Sequence, residues 1–479
     1  MSTLYEKLKE YSHCDYYGFH MPGHKRSPQF AECGLPYNLD ITEIDGFDDL
    51  HHAEGILKEA QEQAAAVYHG DETHFLVNGS TVGILSAILG TTEKNDTILV
   101  ARNCHKSVYH GIQMQELKPV YLSPEFDCKT GLNGEVSAED VRKELERNPK
   151  IRAVMIVSPT YDGVVSDVEA IAREAHKKGV PLIVDEAHGA HFGFHSYFPK
   201  NSNQSGADIV IHSLHKTLPS LTQTALLHMN GGLADRRRVR EYLHMLQSSS
   251  PSYILMASID NCVNMLKEQK TELFEDYVKR LEKLRSDLKH LKVLRIVKTE
   301  HYDNSKIVIS TKDAGISGKK LQEIFLREYH LQMEMAAGAY VLAMTSVADT
   351  EEGFARLKCA LTEIDDRLAE NYENLQSPAV DIEQKGIIPD GKLPRPDQIY
   401  TCAQAKRLTG GRVASLPLQE SAGYIALEYA YLYPPGIPFI VPGERITKEV
   451  TEILLAYRNL GYSVEGPESE ECIEVWNDG

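Results

Sequence analysis

Seven short apolar runs punctuate the first half of the chain: Thr73–Val77, Thr97–Val100, Val120–Leu122, Ala153–Val157, Pro181–Val184, Asp208–His212 and Thr224–His228. Several are continuously rather than alternately hydrophobic, the pattern of strands covered on both faces, as in a parallel sheet. Helical stretches separate them, among them Thr81–Leu89, His105–Gln115 and Asp167–Lys178. A helix over Ala53–Tyr68 precedes them, with Ile56, Leu57, Ala60, Ala64 and Val67 on one face. Sustained alternation of this kind predicts an α/β doubly wound architecture with a mostly parallel sheet.

The pattern then changes. Leu233–Leu291 is helical and charged, with a long helix through Glu268–His290. A second α/β unit follows as strand Ile307–Ser310, helix Gly318–Tyr329, strand Tyr340–Met344 and helix Thr350–Asn371. Residues 374–398 are rich in Pro, Gly and Asp and read as a linker. The last part holds Leu416–Pro417, Ile425–Tyr429, the turn-rich Tyr433–Pro438 and a helix over Thr447–Leu460. These readings divide the chain into an N-terminal segment (1–52), a large domain (53–291), a small α/β domain (292–373), the linker (374–398) and a C-terminal domain (399–479).

A net charge of −18 with no offsetting basic stretch argues against a nucleic-acid partner. The eight cysteines show no C-x-x-C pair, which suits a reducing cytoplasm. Met1–Glu10 reads as an amphipathic helix rather than a signal peptide, and no apolar run approaches the ~20 residues that span a bilayer. A cytoplasmic protein with no membrane partner is expected.

The chemistry gathers where strands end. Asp185, in Asp185-Glu-Ala-His188, follows the apolar Val180–Val184, and Lys216 closes Ser213-Leu-His-Lys216 after the next run. A carboxylate there emerges at the carboxyl end of the sheet, where α/β folds bind ligands. An amine that forms a Schiff base and an acid that keeps a pyridine nitrogen protonated are what pyridoxal 5′-phosphate (PLP) chemistry requires. Ser213 and His215 would help hold the phosphate. Asn78-Gly79-Ser80-Thr81 lies between a strand and a helix, and its N–H groups and hydroxyls form a phosphate seat. His105 opens a helix where it can lie flat against the cofactor ring, while Cys104 is expected to pack.

Other readings of the same letters fail on missing partners. A DEAH-box helicase needs a G-x-x-x-x-G-K-[ST] loop, which does not occur here. Ser213-Leu-His-Lys216 fits S-x-x-K, but Lys216-Thr217-Leu218 stands where K-T-G is wanted. His188, His191 and His195 lack a matching distal pair, so no metal is expected.

Taken together, the motifs resemble the fold-type I Orn/Lys/Arg decarboxylase family, in its short form without a wing domain. They are Phe19–Lys25, Asp48–His51, Asn78–Thr81, Arg102–Ser107, Ser158–Gly163, Asp185–His188, Ser213–Lys216 with Leu221-Thr-Gln223, and Tyr433–Pro438 with Pro442-Gly-Glu444. The resemblance implies an aspartate aminotransferase-like PLP-binding large domain with smaller α+β C-terminal domains. It implies decarboxylation of a basic amino acid, arginine ahead of lysine and ornithine, feeding polyamine biosynthesis. Lys216 would carry the cofactor, Asp185 would pair with its ring nitrogen, His105 would stack on the ring, and Gly79, Ser80, Thr81, Ser213 and His215 would line the phosphate. Lys216 or His188 would return a proton to Cα. Ser248 falls where the family has a hydroxyl reaching a neighbouring subunit's phosphate, so a homodimer with shared active sites is expected. For the substrate's distal cation, Glu420, Asp48, Asp49, Glu54 and Glu444 stand as candidates, each weighed against a structural or surface role. Departures from the family pattern at Arg26-Ser-Pro28, His52-Ala53 and Ser421–Tyr424 bear on specificity. An aminotransferase or lyase sharing the cofactor seat is the alternative.

Overall fold

The structure is a computed structural model that describes residues 3–14, 21–22, 25, 34–127, 130–371, 394, 396–410, 412–433, 437–459, 463–469 and 471–477. Most of the Phe19–Lys25 motif, Arg26-Ser-Pro28, nearly all of the 374–398 linker and the centre of Tyr433–Pro438 lie outside the described residues. The chain forms two compact units, one from Met1–Thr91 and Val168–Glu275, the other from Thr92–Asp167 and Asp276–Gly479.

In the first unit four strands lie in the order Glu72–Leu76, Ala225–Met229, Ile209–His212 and Leu182–Asp185. Leu182–Asp185 and Ile209–His212 are parallel and wholly buried, as their unbroken apolar runs predict. Ala225–Met229 is instead antiparallel to both its neighbours. The segment between Ile209–His212 and Ala225–Met229 holds only the single helical turn Leu214–Thr217, too little for a crossover helix, so the chain must double back. Helix Gly79–Thr91 is apolar on every side and packs on Arg236–Leu246. The approach is close at Gly90, where a Cβ would sit 2.8 Å from the Val239 backbone. Helix Ile56–Tyr68 begins at the first residue of its apolar face, three residues later than the expected start at Ala53. The Asp48 carboxylate sets that start, accepting the N–H groups of Glu54, Gly55 and Leu57 at 2.8–3.0 Å.

In the second unit Ile151–Val157, Thr97–Ala101 and Lys118–Leu122 are all parallel. A separate antiparallel sheet orders Arg295–Val297, Lys306–Ser310, Tyr340–Met344 and Met335–Ala337, with helices Gly318–Glu328 and Glu351–Asn371. Two three-stranded sheets and helix Lys448–Asn459 form the C-terminal part, around a core that includes Leu418, Ile440, Val450, Leu454, Ile473 and Val475.

The long charged helix is longer than its charge pattern indicates, running Tyr253–Asp287. Its first half buries Met256, Ile259, Cys262, Val263 and Leu266, which hides the amphipathic signature. Among the described residues no helix is long and apolar enough to cross a membrane.

Candidate active site

Asp185 ends its strand at 3 % exposure, and its Oδ1 accepts the Ala187 N–H at 3.1 Å. Burial pushes the Asp185 carboxyl above its usual range; the Lys216 charge and the Ala187 N–H pull it back, and Glu186 adds to the rise. The parallel neighbour Ile209–His212 sets Ile211 opposite Asp185 and leads through Ser213 into Leu214–Thr217. On that turn the Lys216 Nζ lies 3.0 Å from His188 Nε2. An amine and an imidazole in contact therefore stand within electrostatic reach of a buried carboxyl at the carboxyl ends of two adjacent strands.

A second donor set borders them. Gln223, at φ +84°, accepts the Gly79 N–H on its carbonyl at 3.0 Å and donates its side-chain amide to the Val77 carbonyl. Gly79 takes φ +72° with open space where a Cβ would project, and the helix starts there. The Ser213 hydroxyl donates to Ser80 Oγ at 2.9 Å. Two hydroxyls thus meet at the start of a 13-residue helix, beside the first-turn N–H groups of Ser80 and Thr81, an arrangement suited to an anion. His215 is oriented by Nδ1 at 2.9 Å from the Thr224 carbonyl. Burial lowers its pKa, the Thr224 carbonyl opposes the shift and the Lys216 charge adds to it.

Ser248 lies beside the same turn, its N–H on Asn78 Oδ1 at 3.2 Å and its carbonyl 2.8 Å from His51 Nε2. Its hydroxyl is exchanged within a local turn with Ser250. His105 belongs to the second unit, where it caps helix Lys106–Met114: its Nδ1 accepts the Ser107 N–H at 3.3 Å and lies 2.9 Å from Ser107 Oγ. Cys104 is buried.

Among the described residues no group of three or more His, Cys, Asp or Glu side chains could hold a metal ion; His195 lies 3.3 Å from Glu275. Of the acidic candidates, Asp48 caps a helix, Asp49 Oδ1 accepts the His51 N–H at 2.8 Å, and Glu444 is buried against Arg102.

Two features of the structure are not disclosed by local sequence. One is the Arg102–Glu444 pair at 3.1 Å, in which Arg102 also donates to Tyr109 Oη at 2.9 Å and lies 5.1 Å from the Tyr121 ring centroid. Glu444 further accepts the Val441 N–H at 2.8 Å. Burial raises the Glu444 carboxyl while Arg102 and that N–H hold it down. The signal was present, since both residues stand in quoted motifs, but 342 positions separate them. The other feature is a buried polar chain beginning at Glu186.

Solved structures place the fold. It matches the lysine decarboxylase LdcF of Francisella novicida with TM-score 0.81 at 22% identity, over 99% of this chain and 81% of that one. It also matches a structure of SPT with PLP with TM-score 0.52 at 16% identity, over 65% and 76%. The molecule is a fold-type I protein, with a mixed, mostly parallel sheet and smaller sheet domains. Residues 2–335 match the Orn/Lys/Arg decarboxylase major domain and residues 392–470 its C-terminal domain. The arginine decarboxylase of Bacillus anthracis is 34% identical over 98% of this chain and 95% of its own length. An uncharacterized protein of Bacillus subtilis, YaaO, is 36% identical over 97% and 96%. The lysine decarboxylase LdcA of Pseudomonas aeruginosa is 24% identical over 97% and 76%. The chain belongs to the Orn/Lys/Arg decarboxylase family: it is a decarboxylase of a basic amino acid.

Proposed function

We propose that the chain decarboxylates arginine to agmatine with PLP bound at Lys216, in the cytoplasm and as a step toward polyamines. The observation that carries the reading is the meeting of Lys216, His188 and Asp185 beside the hydroxyl-lined start of helix Gly79–Thr91. PLP needs an amine for its aldehyde, an acid for its ring nitrogen and donors for its phosphate, and the presence of all three residue types here supports the reading. Lys216 Nζ would hold the aldehyde. Asp185, whose carboxyl burial pushes up, would be further stabilised as an anion by a protonated ring nitrogen. Gly79, Ser80, Thr81, Ser213 and His215 would hold the phosphate, with Ser248 reaching that of a second subunit in a homodimer, and His105 would stack on the ring.

Bound there, the cofactor supplies an electron sink for the pair left on Cα when CO2 departs. Lys216 and His188 form the proton path: at 3.0 Å, His188 Nε2 can take a proton from Nζ or return one to it, and either group can protonate Cα. The preference for arginine leans on relatives, because one named arginine decarboxylase is 34% identical and one named lysine decarboxylase 24%. The functional parts would be the 1–52 segment, the domains 53–291, 292–373 and 399–479, and the 374–398 linker. The gap between the two family matches, 336–391, overlaps that linker.

Mass spectrometry of products from purified protein given PLP and arginine, lysine or ornithine tests the proposal. Agmatine is expected, with kcat/KM for arginine at least about tenfold above the others, about 1.4 kcal/mol in transition-state stabilisation. Cadaverine or putrescine as the main product would overturn the preference. Turnover that requires a keto-acid acceptor would indicate an aminotransferase instead.

A further inference from the structure

Behind the candidate site a single polar chain links three strands of the first unit to Glu186, the residue that follows the fourth. Glu186 Oε1 lies 2.7 Å from His212 Nε2, His212 Nδ1 lies 2.9 Å from His228 Nε2, and His228 Nδ1 lies 2.7 Å from Thr73 Oγ1. The strands order this ladder. Thr73 and His228 are directly opposed, and His212 stands two positions beyond Val210, the partner of His228, the diagonal spacing at which side chains on one face meet. His212 and His228 are fully buried, and Glu186 and Thr73 nearly so. The Ser202 N–H reaches both Glu186 oxygens at 3.1 Å, and the Ser202 hydroxyl donates to Oε2. The Tyr68 ring lies 5.0 Å from each imidazole.

Donor and acceptor accounting leaves this chain two self-consistent forms. With Glu186 ionised, each imidazole carries its proton on Nε2, every hydrogen bond points toward Glu186, and Thr73 donates. With one proton added, each imidazole carries it on Nδ1, every bond points away from Glu186, and Thr73 accepts. The two forms differ by one proton and one unit of charge, with no heavy atom displaced. Burial pushes the Glu186 carboxyl up to about 8 against the hydrogen bonds from Ser202 and the influence of His191. Burial pushes His212 down to about 3, with His191 adding to the shift, and holds His228 well below its usual value. The titratable groups that face the chain are Asp185 and His191 at the Glu186 end, Tyr68 across both imidazoles and His74 at the Thr73 end; Cys262 faces Tyr68.

Glu186 follows Asp185 and His212 precedes Ser213, so the chain ties together the strand ends that present Asp185 and the Lys216 turn. We propose that Glu186 is a positioning residue: through His212, His228 and Thr73 it fixes the Asp185 and Lys216 strand ends, and the chain's one-proton charge change tunes positive charge held at the cofactor. The inference rests on the PLP reading of Lys216 and Asp185.

The test titrates the holoenzyme without substrate from about pH 6 to about pH 10, following the visible absorption of bound PLP in wild type, Glu186→Gln and Thr73→Val, with kcat and KM measured over the same range. Glutamine donates toward His212 and fixes the chain in its neutral form. It removes the anion that favours cationic groups at the site, so the midpoint should fall by roughly half a unit to one unit. At neutral pH kcat should fall about tenfold while KM stays within about threefold. Thr73→Val removes the terminal hydroxyl that both forms use and should move the midpoint by a smaller amount, and it carries the test alone if Glu186→Gln does not fold. Wild-type titration curves from both variants would overturn the proposal. A wild-type protein that takes up no PLP would instead overturn the cofactor reading beneath it.

Discussion

Two buried acids in this molecule sit in opposite circumstances. Glu444 is enclosed with Arg102, and its Oε2 receives both the guanidinium and the Val441 N–H. Asp185 is just as enclosed, yet what stabilises its charge is a backbone N–H and an amine whose Nζ is bonded to His188. A buried carboxylate with a guanidinium against it is a fastener, since breaking such a pair leaves an uncompensated charge. A buried carboxyl raised by its surroundings and facing a reactive amine is poised for a cation that arrives with a ligand. Burial alone separates neither acid from the other; the partner does.

This contrast can be broken most severely at Lys216. Replacing it with alanine should lower kcat/KM by at least about a thousandfold, roughly 4 kcal/mol, and abolish covalent PLP retention. Amine release and a borohydride-trapped pyridoxyl adduct both read the change. Arg102→Ala attacks the other acid and should cost about 3–5 kcal/mol in urea denaturation. If Arg102→Ala proved as stable as wild type, the fastener reading of Glu444 would be lost.

Asp185→Asn keeps shape and removes charge. It should reduce kcat about a hundredfold or more while folding stability changes little or rises, because the cost of burying a carboxylate is relieved. Equal losses of stability at Asp185 and Arg102 would erase the distinction. Asp48→Ala sharpens the contrast from outside the core, with an expected loss of about 1 kcal/mol from helix capping. Burial tends to raise the Asp48 carboxyl, but the N–H groups of Glu54, Asp49, Gly55 and Leu57 bring it below its ordinary value. A folded-state pKa below the unfolded one stabilises the protein above about pH 4, and that contribution drains away as pH falls through the folded value. The stability gap between wild type and Asp48→Ala should therefore narrow as pH falls from about 4.

Much of the site was legible because its parts lie in strand-turn signals a few residues long. The apolar Leu182–Val184 delivers Asp185, and the next buried strand delivers Ser213 and Lys216. Local sequence could not reveal partners across strands. Glu186 and His212 are 26 positions apart, Thr73 and His228 155, and each looks unremarkable in its own segment. The reversed strand Ala225–Met229 was hidden for a related reason: a fully buried strand reads the same in either direction. Strand Cys472–Trp476 alternates weakly and draws its register from Val413–Pro417, some 60 residues earlier in the chain.

The union of Arg102 with Glu444 also bears on how the protein can be shortened. The Arg102–Ser107 stretch that carries His105 lies in the major-domain match, whereas its counter-charge comes from the C-terminal match that begins at residue 392. Trimming the tail would take away the Glu444 carboxylate and the Phe439 carbonyl that Arg102 meets, and so loosen the loop upstream of His105. The tail is thus a keystone for a distant turn, and a truncated enzyme should fail there first.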